Sequence, residues 1–505
     1  MLSDGLLLRA FSCISAGAAL ALCLPAPGLC VLAWFLPAAL LACADSAAGR
    51  LRAFGLGWLF GTAFHAAAFY WIYLTCRFAG VSVPVSLLAW LLLSAILGLN
   101  AGLLAVLVNM QRSWPDWVRP WAWAACWVAV ETVSARFGGP RPGVDVLAYT
   151  QWRHLSLLQG SSWLGPHALS FLIVLVNSAW VLLLQKRRGA RVFAVCAGIL
   201  LAGWWAWGRH ILSGRSPVFD GPRVELLQPD IDQYRKWDAS SAKDIRAAID
   251  GLLARPRTAP ADLVLWPESA LPGWLGEEEN SQWVRSWARR LGPMLVGSVS
   301  ALGNKPRNSA VLFDGDGEAA GIYHKRTLVP FGEYVPLRRL LSPYFGILGE
   351  LGDFEAGPAV QPLLATRLGP LAASICYEAV FTRWSRQDAG RGARVFANLT
   401  NDGWYKDTWG PRQHFHVNVF RAVETRATVL RAANTGISGV IDPYGVVLAS
   451  APLMSAARLD VRLPAVDPFP QGSFYSRHGD ILGVLCVLAA LLLSAAGLNF
   501  LEYKR

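Results

Sequence analysis

Leu371-Ala-Ala-Ser-Ile-Cys-Tyr-Glu378 is an apolar run that stops at a thiol and then a carboxylate, the pattern of a buried strand ending at a polar site. Of nine cysteines in 505 residues, Cys376 alone lies outside a long apolar segment. A thiol so placed is either a nucleophile or a buried, inert side chain. A nucleophilic cysteine must be activated by a base, a cation or both, because free cysteine ionises only near pH ~8.5.

Hydrophobic residues make up 54% of the chain and charged residues 16%, with a mean hydropathy of +0.36. That is too apolar for a soluble protein of this length. The charge is uneven: charged, turn-rich sequence concentrates between about 209 and 478, and the flanks are runs of Leu, Ala, Val and Trp. The split predicts a helical membrane domain over 1–208 with seven spans, a water-soluble domain over 209–478, and a last membrane helix with a cytoplasmic tail over 479–505. The net charge of +12 carries no basic stripe with interleaved aromatics, so nucleic acid is not an expected partner.

A helix needs about 17 to 25 apolar residues to cross a bilayer. Candidate spans are 6–24, 28–44, 53–74, 81–108, 117–134, 167–185, 192–208 and 480–499. Each even-numbered span is followed by positive charge: Arg50 and Arg52, then Arg112 and Arg119, then Lys186, Arg187, Arg188 and Arg191, and finally Lys504 and Arg505. Positive loops stay in the cytoplasm, which places both termini there and the large domain on the opposite side. His65, Asn100 and Glu131 are polar residues within spans. They mark either a transport path or hydrogen bonds between packed helices, and no transporter-like internal repeat accompanies them.

In the soluble region the pattern predicts strands at 224–228, 263–266, 295–299, 309–313, 321–324, 371–376, 395–399, 438–441 and 446–448. Turns at Asp314-Gly315-Asp316-Gly317 and Asp442-Pro443-Tyr444-Gly445 join two of the pairs. Helices are expected over 241–253, 278–290 and 412–433, the last with Pro411 in its first turn and Asn434 and Gly436 at its end. Such alternation fits one layered α/β domain. Outside the cytoplasm thiols normally pair, yet this domain has one cysteine and no partner for it.

Two further strands end in ionisable residues. Asp262-Leu-Val-Leu-Trp-Pro-Glu268 ends in a carboxylate, Tyr323-His324-Lys325 in an ammonium, and Phe331-Gly-Glu333 supplies a second carboxylate eight residues on. Singly, each is an ordinary solvated charge after a strand. Jointly, a carboxylate, a lysine and a cysteine at successive strand ends form a nucleophile with a base and a cation. A carboxylate in an apolar pocket can take up a proton near neutral pH, and a lysine stabilises both a thiolate and a tetrahedral oxyanion.

Trp266-Pro-Glu268, Tyr323-His-Lys325 with Leu328-Val-Pro-Phe-Gly-Glu333, and Ile375-Cys-Tyr-Glu378 resemble the three catalytic motifs of the nitrilase superfamily, in the order Glu, Lys, Cys. Asn398-Leu-Thr-Asn-Asp-Gly-Trp404 and Arg431-Ala-Ala-Asn-Thr-Gly-Ile-Ser438 extend the match. With spans on both sides of this domain, nearly the whole chain resembles the apolipoprotein N-acyltransferase family of the bacterial inner membrane. The resemblance implies a multi-span α-helical membrane domain plus an α/β nitrilase-like αββα sandwich on the periplasmic side. Glu268 would be the general base, Lys325 the cation and Cys376 the nucleophile. Glu333, Glu378 and Tyr377 would support the site, and Trp237, in Tyr234-Arg-Lys-Trp-Asp238, would lie near bound lipid.

The implied reaction moves a fatty acyl group from a phospholipid to the amino-terminal amine of a diacylglyceryl-cysteine apolipoprotein. It would pass through a cysteine thioester and use no metal or other cofactor. The alternatives are a membrane-tethered amidase or nitrilase that gives its acyl group to water, and a transporter or scaffold with an inactive domain. Leu271-Pro-Gly-Trp-Leu275 and Leu340-Leu-Ser-Pro-Tyr-Phe-Gly-Ile-Leu348 follow candidate site residues and are expected either to pack in the core or to dip into the bilayer interface as a lid.

Overall fold

The computed structural model describes residues 4–24, 27–137, 143–215, 218–233, 235–236, 238–302, 305–335, 354–465 and 469–502. Trp237 and the stretch 340–348 lie outside the described residues. The chain divides into two compact units, residues 1–215 with 478–505, and residues 216–477.

The first unit is helical. Gly28–Asp45, Val83–Met110, His167–Leu184 and Ala190–Ser213 are long and apolar enough to cross a membrane. Arg50–Ala68 and Tyr70–Phe78 add a fifth span if taken together, bent by 46° where buried Phe69 leaves helical geometry (φ −117°, ψ 26°). Gly5–Ala21 and Ile481–Ser494 are shorter apolar helices. Small residues let Arg50–Ala68 and Val83–Met110 approach closely: a Cβ on Gly57 would stand 2.3 Å from the Ala101 carbonyl oxygen. The three polar residues singled out within the apolar segments are hydrogen-bonded. His65 Nε2 lies 3.2 Å from Asp145 Oδ2, Asn100 donates to Ser134 (3.0 Å), and Glu131 accepts from Trp127 Nε1 (3.0 Å) and Leu147 N (2.9 Å). Arg119, counted above among the loop charges, is instead buried and ion-paired with Asp45.

The second unit has two six-stranded sheets. The first, in the order β12-β1-β2-β3-β4-β5, contains β1 (Arg223–Gln228), β2 (Leu263–Leu265), β3 (Met294–Leu302), β4 (Lys305–Phe313), β5 (Ala319–His324) and β12 (Ala457–Arg462). The second, β11-β10-β9-β8-β7-β6, contains β6 (Leu364–Thr366), β7 (Gly369–Ile375), β8 (Val395–Thr400), β9 (Thr428–Ala433), β10 (Gly439–Ile441) and β11 (Val447–Ser450). The strands β1, β2 and β3 run parallel, as do β7, β8 and β9.

Alternation along each strand sorts its side chains between two layers. Leu226, Leu265, Leu295 and Leu312 from one sheet meet Leu371, Ala373, Ala397, Leu430 and Val440 from the other. On the outer face of the first sheet, Val264, Trp266, Val296 and Val311 pack against helices Ala242–Leu253 and Glu278–Leu291 through Ile249, Leu252, Val284 and Trp287. Helices Thr382–Gly390 and Trp409–Thr425 cover the second sheet, which completes the αββα layering.

The helix expected over 412–433 stops at Thr425. Arg426 takes a left-handed conformation (φ 56°), and β-branched Thr428 and Val429 open β9, which pairs along β8. The helical spacing of the alanines hid this break, and Asn434 and Gly436 follow a strand. Strands β6 and β12 and the helix Thr382–Gly390 were also not expected from sequence. Leu271, expected at a lid or in the core, is buried in the outer apolar layer, and Trp274 beside it is exposed.

One side chain ties the sheets together beside the ends of β5 and β7. The buried Glu378 carboxylate accepts hydrogen bonds from Ile375 N (2.8 Å), Thr327 N (2.9 Å), Arg326 N (2.5 Å) and the Tyr323 hydroxyl (2.7 Å). Burial still pushes its carboxyl above the usual carboxylate range, against the pull of these donors and of Arg326. Glu378→Ala leaves four donors without their acceptor. It is expected to cost on the order of 3 kcal/mol or more, seen as a lower thermal midpoint of the detergent-solubilised chain. An unchanged midpoint would contradict this strut.

Candidate active site

The ends of β2, β5 and β7 carry Glu268, Lys325 and Cys376. All three are buried, at 7%, 1% and 6% exposure. Lys325 is the hub. Its Nζ donates to Glu333 Oε1 (2.7 Å) and lies 3.4 Å from Glu268 Oε1. Burial pulls the ammonium's pKa down, but the charges of Glu333 and Glu268, with the Cys376 thiol, reverse this and hold it well above the ordinary lysine value. Lys325 is therefore a cation at neutral pH.

Asn308, on β4, holds the two carboxylates apart. Its Nδ2 donates to Glu268 Oε1 (2.7 Å) and Glu333 Oε1 (3.0 Å), while its carbonyl accepts from Lys325 N (2.8 Å). Its own Oδ1 is buried with no hydrogen-bond partner among the described residues. The other Glu268 oxygen accepts from Asn401 N (2.8 Å), just past β8. Glu333 Oε2 accepts from Val329 N (2.8 Å), which folds the segment after Lys325 back over it. Strand β3 passes so close that a Cβ on Gly297 would meet the Pro267 carbonyl oxygen at 2.2 Å. Only glycine fits there without moving Glu268.

Cys376 begins a short 3-10 turn after β7 in the left-handed region (φ 52°), which costs a non-glycine residue about 1–2 kcal/mol. Two side chains hold its carbonyl: Asn398 Nδ2 (3.2 Å) and His414 Nε2 (3.0 Å). His414 Nδ1 in turn lies 2.9 Å from Asp402 Oδ1 and 3.1 Å from Arg431 Nη2, and Arg431 also donates to Asp402 Oδ2 (2.7 Å). Burial would raise the Asp402 carboxyl, but Arg431 and His414 bring it down to about 2. Burial, then the Glu268 charge, push the Cys376 thiol well above its ordinary value, and Lys325 offsets only part of this. The resting thiol is protonated and needs a base at the moment of attack.

The structure thus brings Glu268, Lys325 and Glu333 into direct contact and sets Cys376 within the field of the first two. Glu378 lies behind them as a strut, and Tyr377 packs edge-on against Phe381 (5.0 Å) at the border of the core. Asn308, Lys236, Asp402, His414 and Arg431 belong to the arrangement without having been assigned a role from sequence. Asn308 gave no signal beyond a polar side chain inside a strand. Asp402 and Arg431 stood within motifs already noted. Among the described residues no group of three His, Cys, Asp or Glu side chains is placed to hold a metal ion.

Residues 224–467 match the carbon-nitrogen hydrolase family model, and residues 16–179 match the apolipoprotein N-acyltransferase N-terminal domain model. Among solved structures, an amidase from Nesterenkonia sp. is similar at 24% identity and a TM-score of 0.37, covering 48% of this chain and 94% of that one. A Geobacter metallireducens protein named apolipoprotein N-acyltransferase is 34% identical, covering 95% of this chain and 94% of its own. An Agrobacterium fabrum protein of the same name is 32% identical, covering 97% and 96%. With both domain models matched and relatives aligned over nearly their whole length, the chain belongs to the apolipoprotein N-acyltransferase family.

Proposed function

We propose that this chain is a multi-pass enzyme of the bacterial inner membrane that transfers a fatty acyl group from a phospholipid to the terminal amine of a diacylglyceryl-cysteine apolipoprotein. Cys376 carries the acyl group between the two as a thioester. The observation that carries this reading is the buried Lys325 ammonium, bonded to Glu333, close to Glu268 and acting on the Cys376 thiol. The basic residues after every even-numbered apolar segment support eight crossings, with residues 209–478 on the periplasmic side.

In the first half-reaction Glu268 takes the thiol proton as sulfur attacks the ester carbonyl carbon, and Lys325 stabilises the oxyanion that forms. Collapse breaks the ester C–O bond, and the proton on Glu268 goes to the departing glycerol oxygen, which leaves lysophospholipid and the Cys376 thioester. In the second half-reaction the acceptor amine attacks the thioester carbon and loses a proton to Glu268. Collapse of that adduct expels the Cys376 sulfur, which regains the proton, and an amide remains. Glu333 holds Lys325 in place. Tyr377 and Trp237 are proposed to contact lipid. The thioester separates a donor that never meets the acceptor, as two-step transfer requires.

Supplied with phospholipid and a diacylglyceryl peptide, the wild-type chain is expected to yield lysophospholipid and acylated peptide in equal amounts. Cys376→Ser should yield neither, and Glu268→Gln and Lys325→Met should each lose about 10²–10⁴-fold in rate. Continuous release of free fatty acid with no acylated peptide would contradict the reading and favour a hydrolase. The raised thiol makes a second prediction, on pH. Alkylation of Cys376 by iodoacetamide should climb from pH 7 to pH 10 without levelling, because the thiolate fraction keeps growing over that range. A plateau below pH 8 would mean a preformed thiolate.

A further inference from the structure

Lys236 is 2% exposed, and among the described residues its Nζ has one hydrogen-bond partner, the main-chain carbonyl of Glu268 (3.0 Å). A buried ammonium has three hydrogens to place and is costly to leave so poorly satisfied, so its position calls for a reason. The carbonyl it holds lies at a tight point of the backbone. Pro267 precedes Glu268, and Ser269 follows in the left-handed region (φ 46°). The Glu268 charge also acts on the Lys236 ammonium, against the effect of burial. Lys325 from the end of β5 lies 3.4 Å from Oε1 of the same carboxylate.

We propose that Lys236 is a positioning residue for the general base: its ammonium fixes the Glu268 main chain at the turn after β2 and so keeps the carboxylate aimed at the thiol. The inference rests on the role given to Glu268 under Proposed function. It gives the site two lysines with separate tasks, Lys325 serving the thiol and oxyanion and Lys236 serving the base. Burial draws the Lys236 ammonium down to about 8, with Glu268 pulling it back up, so it remains charged at neutral pH. The sequence offered only a basic residue in Tyr234-Arg-Lys-Trp-Asp238, which reads as a surface charge.

The test is single-turnover release of lysophospholipid by the full-length, detergent-solubilised chain at neutral pH, with no acceptor amine present. Lys236→Met is expected to slow release about tenfold at neutral pH, with the half-saturating phospholipid concentration unchanged within about twofold. Lys236→Arg, which keeps a donor for the Glu268 carbonyl, should restore at least half of the wild-type rate. If Lys236→Met does not give a cooperative melt, Lys236→Gln replaces it with the same expectations. A rate that stays unchanged in Lys236→Met, or a fall that is carried by the half-saturating concentration or is not rescued by Lys236→Arg, overturns the proposal, because a merely structural lysine would behave that way. If the wild type itself releases no lysophospholipid, the acyl-transfer reading falls and this inference falls with it.

Discussion

A lysine ammonium held out of water between two carboxylates is the constraint on which the catalytic unit depends. Burying a single charge costs several kcal/mol, and Lys325 is 1% exposed. Glu333 and Glu268 recover that cost only if they stay within reach of Nζ, so the ends of β2 and β5 and the segment that carries Glu333 must be fixed against one another. The rest of the site follows from that demand. Asn308 spaces the carboxylates, Asn401 N holds the far oxygen of Glu268, and Val329 N turns Glu333 inward.

The two sheets meet this demand together. Lys325 and Glu268 leave the first sheet and Cys376 leaves the second, so any sliding between the sheets would move the thiol away from Glu268 and Lys325. Glu378 resists sliding by gripping both ends, with donors from residues 323–327 on one side and Ile375 on the other. Behind Cys376, the Asp402, His414 and Arg431 side chains brace the left-handed turn through its carbonyl. The nucleophile is therefore fixed through its backbone, leaving sulfur free for chemistry. Its thiol stays protonated at rest in this field, which limits reaction with stray electrophiles.

The αββα layering was legible because the strands of the inner sheet positions are short apolar runs with turn residues between them, and because the candidate residues stand where those runs stop. Glu268, Lys325 and Cys376 could be named from that punctuation. Their contacts could not, since a chain that pairs β7 with β8 and β5 with β4 carries no one-dimensional trace of which strand ends face each other. The misread helix over 412–433 has a local cause: Leu430, Ala432 and Ala433 satisfy helical spacing, and the left-handed residue at Arg426 that breaks it is not a glycine or an asparagine. Asn308 and Lys236 escaped for the opposite reason. Each is an ordinary polar residue by sequence, and only burial beside Glu268 gives it meaning.

The most direct test of the central claim, that these three strand ends form one acyl-transfer site, is intact and peptide mass spectrometry after incubation of the purified chain with phospholipid. A fatty acyl adduct should appear on Cys376, be absent in Cys376→Ser, and disappear when a diacylglyceryl-cysteine peptide is added, with the same acyl mass arriving on that peptide's amine. An adduct at another residue, or none with any phospholipid donor, would contradict the account.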